Sequence, residues 1–152
     1  MKPTLTAGVT AIATIAVDRS RTIDFMGEAA RVYATPMLVR DIEMTARDLL
    51  LAHLDPGEDS VGTRVEVDHL AATLLGQQVT LKVTVAEVKG RAVALEVEGH
   101  DGVDTICRGR HHRFVIDVKA TEARLAAKLP PGRSRALALG LLVIVIAAIA
   151  AL

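Results

Sequence analysis

One long helical segment followed by a stretch of strict two-residue alternation leaves few folds open to this chain. Residues 35–54 (TPMLVRDIEMTARDLLLAHL) place Leu38, Ile42, Thr45, Ala46 and Leu49 at three- and four-residue spacing, the apolar stripe of an amphipathic helix. Thr35 and Pro36 read as an N-cap hydroxyl followed by a first-turn proline, and Asp55-Pro56-Gly57 stops the helix. From Val61 the period changes to two. Val61, Thr63, Val65, Val67 and His69 fall on one strand face, with Gly62, Arg64, Glu66 and Asp68 on the other. Val79, Leu81, Val83 and Val85 alternate in the next run, and Lys89-Gly90-Arg91 turns it into Val93, Leu95 and Val97. A second turn at Gly102 leads into residues 103–118, where His111, Arg113 and Val115 oppose Phe114, Ile116 and Val118.

Upstream, residues 5–17 read as a first strand closed by Asp18-Arg19, with short helices expected around 27–33 and 121–128. The threonines at 6, 10 and 14 argue against a secretory leader there. The order strand, helix, four-stranded meander is an α+β layer architecture in which one helix covers the apolar face of one antiparallel sheet. Residues 1–120 form its domain and residues 121–135 a short helix and linker. The uncharged run 136–152 (ALALGLLVIVIAAIAAL) would make about 25 Å of helix, close to a hydrocarbon core of about 30 Å. With Arg133 and Arg135 before it, the run is expected to anchor the domain to the cytoplasmic face of a membrane; the alternative is a helix buried between subunits.

Several chemistries are excluded. Eighteen basic residues balance eighteen acidic ones and aromatic residues make up 2%, so neither a basic stripe nor stacking platforms for nucleic acid are available. The single Cys107 forbids an internal disulfide and a cysteine zinc cage and reads as a packing residue. Neither GxxxxGK nor GxGxxG occurs. His111 and His112, adjacent on a strand, point to opposite faces and suit no shared metal ion. Two readings stay open for Glu43: a buried carboxylate turned to catalysis, or a partly exposed one paired with Arg47 four residues on. His69 closes an apolar strand face as a proton carrier or a plain edge residue, and Thr35 can both cap the helix and polarise a developing oxyanion.

The segments ATPMLVRDIEM (34–44), LDPGEDSVGT (54–63), VDHLAAT (67–73), GHDGVD (99–104) and GRHHRFVI (109–116) occur in an order and spacing that resembles the hotdog-fold acyl-CoA thioesterases, and within them the fluoroacetyl-CoA thioesterase group. The resemblance covers about residues 5–120. It implies a hotdog fold, an acyl-CoA substrate, no metal or cofactor, and a homodimer with the acyl-CoA channel at the subunit interface. Thr35, Glu43 and His69 fall on the group's catalytic positions, and Gly62 and Arg113 on substrate-contacting ones. Fluoroacetyl specificity is not carried over, because residues 21–34 offer only Phe25 and Tyr33 where the group has an aromatic lid. Hydrolysis of a small or medium acyl-CoA to free acid and CoA is the expectation. The competing one is a non-catalytic acyl-CoA-binding or membrane-tethered interaction module, which would not need Glu43 or His69.

Overall fold

The computed structural model describes residues 1–129. Residues 1–116 form one compact unit. Its elements are β1 (Thr10–Ala16), β2 (Thr22–Ile23), β3 (Val32–Tyr33), α1 (Thr35–Leu51), β4 (Glu58–His69), β5 (Gln78–Lys89), β6 (Ala92–His100) and β7 (Thr105–Asp117). A further helix, α2 (Val118–Ala126), follows, its first turn capped by the Asp117 carboxylate, which accepts from the Ala120 N–H at 2.8 Å. Among the described residues no helix is long and apolar enough to cross a membrane; the run 136–152 lies outside them.

The alternating runs become one five-stranded antiparallel sheet in the order β1-β5-β6-β7-β4. Only β5, β6 and β7 form a meander. The expected fourth member, β4, does not pair with β5: β1 takes that edge in the register Thr14↔Thr80, and β4 crosses to lie beside β7. Leu38, Ile42, Ala46 and Leu50 of α1 are fully buried, and so are Val79, Leu81, Val83, Val85, Val93 and Leu95 of the sheet. Each such side chain contributes roughly 1.5–3 kcal/mol, so the helix is held by burial of its stripe.

Three local expectations change. Around residues 27–33 there is a 3₁₀ turn, Glu28–Ala30, and then β3, in place of a helix; β3 pairs with β2. The helix expected at 121–128 is α2, three residues earlier. The N-cap of α1 is Ala34, with no side-chain cap bond; Thr35 is already helical, which frees its hydroxyl.

Alternation along β4 slips once. Gly62 faces Glu43 of α1 and His69 meets Thr35, also of α1, although an unbroken period of two would put positions 62 and 69 on opposite faces. Within this stretch β7 passes close to β4: a Cβ at Gly109 would stand 2.0 Å from the Glu66 carbonyl oxygen and 2.8 Å from Val67 Cα. Glycine at 109 permits that approach.

Candidate active site

Thr35 sits in the first turn of α1, at the solvent-exposed end of the helix. Its Oγ1 lies 2.9 Å from His69 Nδ1, where β4 ends. The other ring nitrogen, Nε2, is buried without a hydrogen-bond partner among the described residues. Burial pushes the His69 imidazole below its ordinary value, with the Ala71 backbone opposing in part, so the ring is poised neutral. A cavity of about 270 Å³, lined by Ile23, Phe25, Val32, Leu70 and Ala71, opens beside this pair.

Tyr33 fixes the wall of that cavity. Its ring meets His69 edge-on at 6.4 Å between centroids, and its hydroxyl donates to Asp41 Oδ2 at 2.7 Å. Asp41, 3% exposed, also accepts from Arg21 Nε at 2.8 Å. Arg21 in turn receives the Ala34 N–H on its carbonyl at 2.9 Å, which ties the chain entering α1 to the second turn of the same helix. Asp41 falls on the buried stripe of α1 beside Leu38, Ile42 and Thr45. A charge on that stripe was the one available signal for this network.

The second cluster lies two turns further along α1. Glu43 is half-buried, and it does not pair with Arg47, whose guanidinium takes Asp59 instead, with contacts from 2.6 Å. Its carboxylate occupies the space above Gly62, where a Cβ would stand 2.6 Å from Oε1 and 3.2 Å from His111 Cε1. Arg113, 4% exposed, donates from Nε to Ser60 Oγ at 2.9 Å, from Nη2 to the Ser60 carbonyl at 2.6 Å, and from Nη1 to the Glu43 carbonyl at 3.3 Å. Nη1 also donates to His111 Nε2 at 3.1 Å. Burial pushes the guanidinium below its usual value, with the Glu43 and Asp59 charges opposing. Arg113 is therefore engaged largely by the protein itself.

Of the five residues singled out in the sequence, Thr35 and His69 stand together, and Glu43, Gly62 and Arg113 stand together. The two groups are separate within one chain. Both Thr35 and Glu43 are helical, and eight residues of straight helix span about 12 Å. His111 and Ser60, which complete the Glu43 corner, were not anticipated.

Residues 17–119 match the family model described as fluoroacetyl-CoA-specific thioesterase. The chain belongs to that family. It is 38% identical over 105 residues to the fluoroacetyl-CoA thioesterase of Streptantibioticus cattleyicolor, covering 69% of this chain and 76% of that one. Among solved structures, this member of the fluoroacetyl-CoA-specific thioesterase family is similar to the fluoroacetyl-CoA thioesterase FlK, with a TM-score of 0.75 and 32% identity over 83% of this chain and 98% of the other. It is also similar to a thioesterase superfamily member from Thermus thermophilus (TM-score 0.74, 30% identity, 82% and 93% covered). A hot-dog-like protein from Thermanaerovibrio acidaminovorans matches with a TM-score of 0.76 and 27% identity, over 85% and 94% of the two chains. The helix wrapped by an antiparallel sheet is the hotdog fold.

Proposed function

We propose that the protein hydrolyses the thioester of a small or medium acyl-CoA, releasing the free acid and CoA. The observation that carries this reading is the Thr35–His69 hydrogen bond, which leaves a buried imidazole nitrogen without a partner among the described residues, beside an apolar cavity. In this reading the acyl chain lies in the cavity, Thr35 polarises the thioester carbonyl, and His69 carries protons between the attacking and leaving groups. Glu43 supplies the carboxylate that activates water or attacks the carbonyl carbon. Gly62 gives that carboxylate its room.

Because Thr35 and Glu43 are two helical turns apart, the reading requires a homodimer in which one subunit contributes Thr35 and His69 and the other Glu43. The edge strand β4 supports such a pairing. It is twelve residues long, ends the sheet, and leaves Val61 43% and Val65 37% exposed, an edge that unprotected would invite another strand. Two β4 strands paired antiparallel across a two-fold axis near mid-strand would bring the Gly62 end of one alongside the His69 end of the other. Glu43, resting on Gly62, would then face the Thr35–His69 pair across the interface.

CoA release should be measured with acetyl-, fluoroacetyl-, branched, aromatic and longer acyl-CoA, for wild type and for Glu43→Ala and His69→Ala. Turnover lost in both folded variants is expected. Binding without turnover by wild type would make this a non-catalytic acyl-CoA module and overturn the reading. From the sequence alone, the apolar run 136–152 is proposed to hold the domain at a membrane.

A further inference from the structure

His111 is fully buried, and both of its ring nitrogens have their roles set by their partners. The Arg64 carbonyl can only accept, so Nδ1, at 3.0 Å, carries the proton. The guanidinium of Arg113 can only donate, so Nε2, at 3.1 Å, is the acceptor. A neutral Nδ1–H imidazole satisfies both contacts, whereas imidazolium would set an N–H against an N–H and a second cation against Arg113. The groups around the ring are Arg113 and His112 on β7, the Arg64 backbone on β4 and the Glu43 carboxylate on α1, and burial outweighs Glu43's attraction in favouring the neutral form. The His111 Cε1–H edge packs over Gly62 beside Glu43 Oε1.

Arg113 is nearly fully buried yet forms no ion pair with a carboxylate among the described residues; its partners there are Ser60, the Glu43 carbonyl and His111. Ser60 holds the Nε and Nη2 side of the guanidinium, and a neutral acceptor at 111 joins the Glu43 carbonyl in fixing Nη1, the nitrogen nearest the Glu43 corner. We infer that His111 is a positioning residue: as a neutral Nδ1–H imidazole it holds the Arg113 guanidinium and walls the Glu43 carboxylate onto Gly62. This rests on Glu43 being the working carboxylate. Nothing in His111 itself reaches the reacting atoms.

The test compares His111→Gln, which keeps one donor and one acceptor, with His111→Leu, which keeps neither, using the full chain and whichever acyl-CoA the wild type turns over. Thermal melting establishes that each variant is folded. Expected are a fall of kcat of about tenfold or more in His111→Leu with KM changed by less than about twofold, and recovery of most of kcat in His111→Gln. Imidazole ¹⁵N shifts of wild type should report the neutral Nδ1–H tautomer at pH 8 and pH 7. Unchanged kcat in folded His111→Leu, or an Nε2–H or cationic ring at pH 7, overturns the inference while leaving the thioesterase reading intact. If His111→Leu does not fold, a kcat in His111→Gln as low as that of Glu43→Ala overturns it, since Gln supplies both contacts. A wild type that releases no CoA overturns the thioesterase reading, and this inference with it.

Discussion

The carboxylate of Glu43 stands where the side chain of residue 62 would be: a Cβ on Gly62 would lie 2.6 Å from Oε1 and 3.3 Å from Cδ. The nearest neighbour in the way is the free end of a flexible side chain, so the fold can absorb a methyl group there mainly by moving Glu43, with the His111 ring, whose Cε1 would stand 3.2 Å away, giving by a few tenths of an ångström.

Gly62→Ala is therefore expected to melt within a few degrees of wild type and to lose about tenfold to a hundredfold in kcat, because a displacement of about 1 Å suffices for such a loss. A Tm scan beside steady-state CoA release checks it. Wild-type kcat would show that Glu43 does not work from this position.

Gly109→Ala should behave oppositely. There the Cβ would meet backbone, 2.0 Å from the Glu66 carbonyl oxygen, and backbone cannot step aside. A loss of about 1–3 kcal/mol or more is expected by denaturant unfolding, as for other overpacked sites. An unchanged midpoint would contradict the close approach of β7 to β4.

The Tyr33–Asp41–Arg21 network gives a third expectation. Asp41→Ala leaves the buried Tyr33 hydroxyl without its acceptor and takes one of two carboxylates from the partly exposed Arg21, which keeps Asp18 at 2.6 Å, and should cost about 2–3 kcal/mol. Tyr33→Phe removes only one hydrogen bond from Asp41 and should cost about 1–2 kcal/mol. Equal losses in both variants would contradict the assignment of Arg21 as the main partner of Asp41.

Stability should fall on mild acidification. Burial depresses the folded values of His69 and His111 below their unfolded ones, so the unfolded chain binds more protons. Their contribution is fully present above the unfolded histidine value of about 6.5 and is lost as pH falls through the depressed folded values. Urea unfolding at pH 7.5, 6.5 and 5.5 should show this decline, and it should be shallower in His111→Gln. A flat profile would remove the assignment of both rings as neutral.

Much of this was legible in the chain. The stripe Leu38, Ile42, Ala46, Leu49 and the alternations of β5 and β6 gave the helix-on-sheet layout, because burial enforces both periods. Strand neighbours were not legible: that β1 claims the edge of β5 and sends β4 to β7 is a long-range choice no local pattern encodes. The slip in β4 was hidden as well, since the alternation of residues 61–69 runs unbroken in the sequence. At the site, residue types at 35, 43 and 69 drew attention, but the buried roles of His111, Ser60 and Asp41 depend on which faces meet across the core.

The division of Thr35 and His69 from Glu43 along one helix makes the central claim directly measurable. His69→Ala and Glu43→Ala chains, each inactive alone, should be unfolded together, refolded as a mixture and assayed for CoA release. If each site takes Thr35 and His69 from one subunit and Glu43 from the other, half the dimers carry one intact site of two, and activity should return to about a quarter of wild type. A mixture as inactive as its two components would contradict a site shared between subunits.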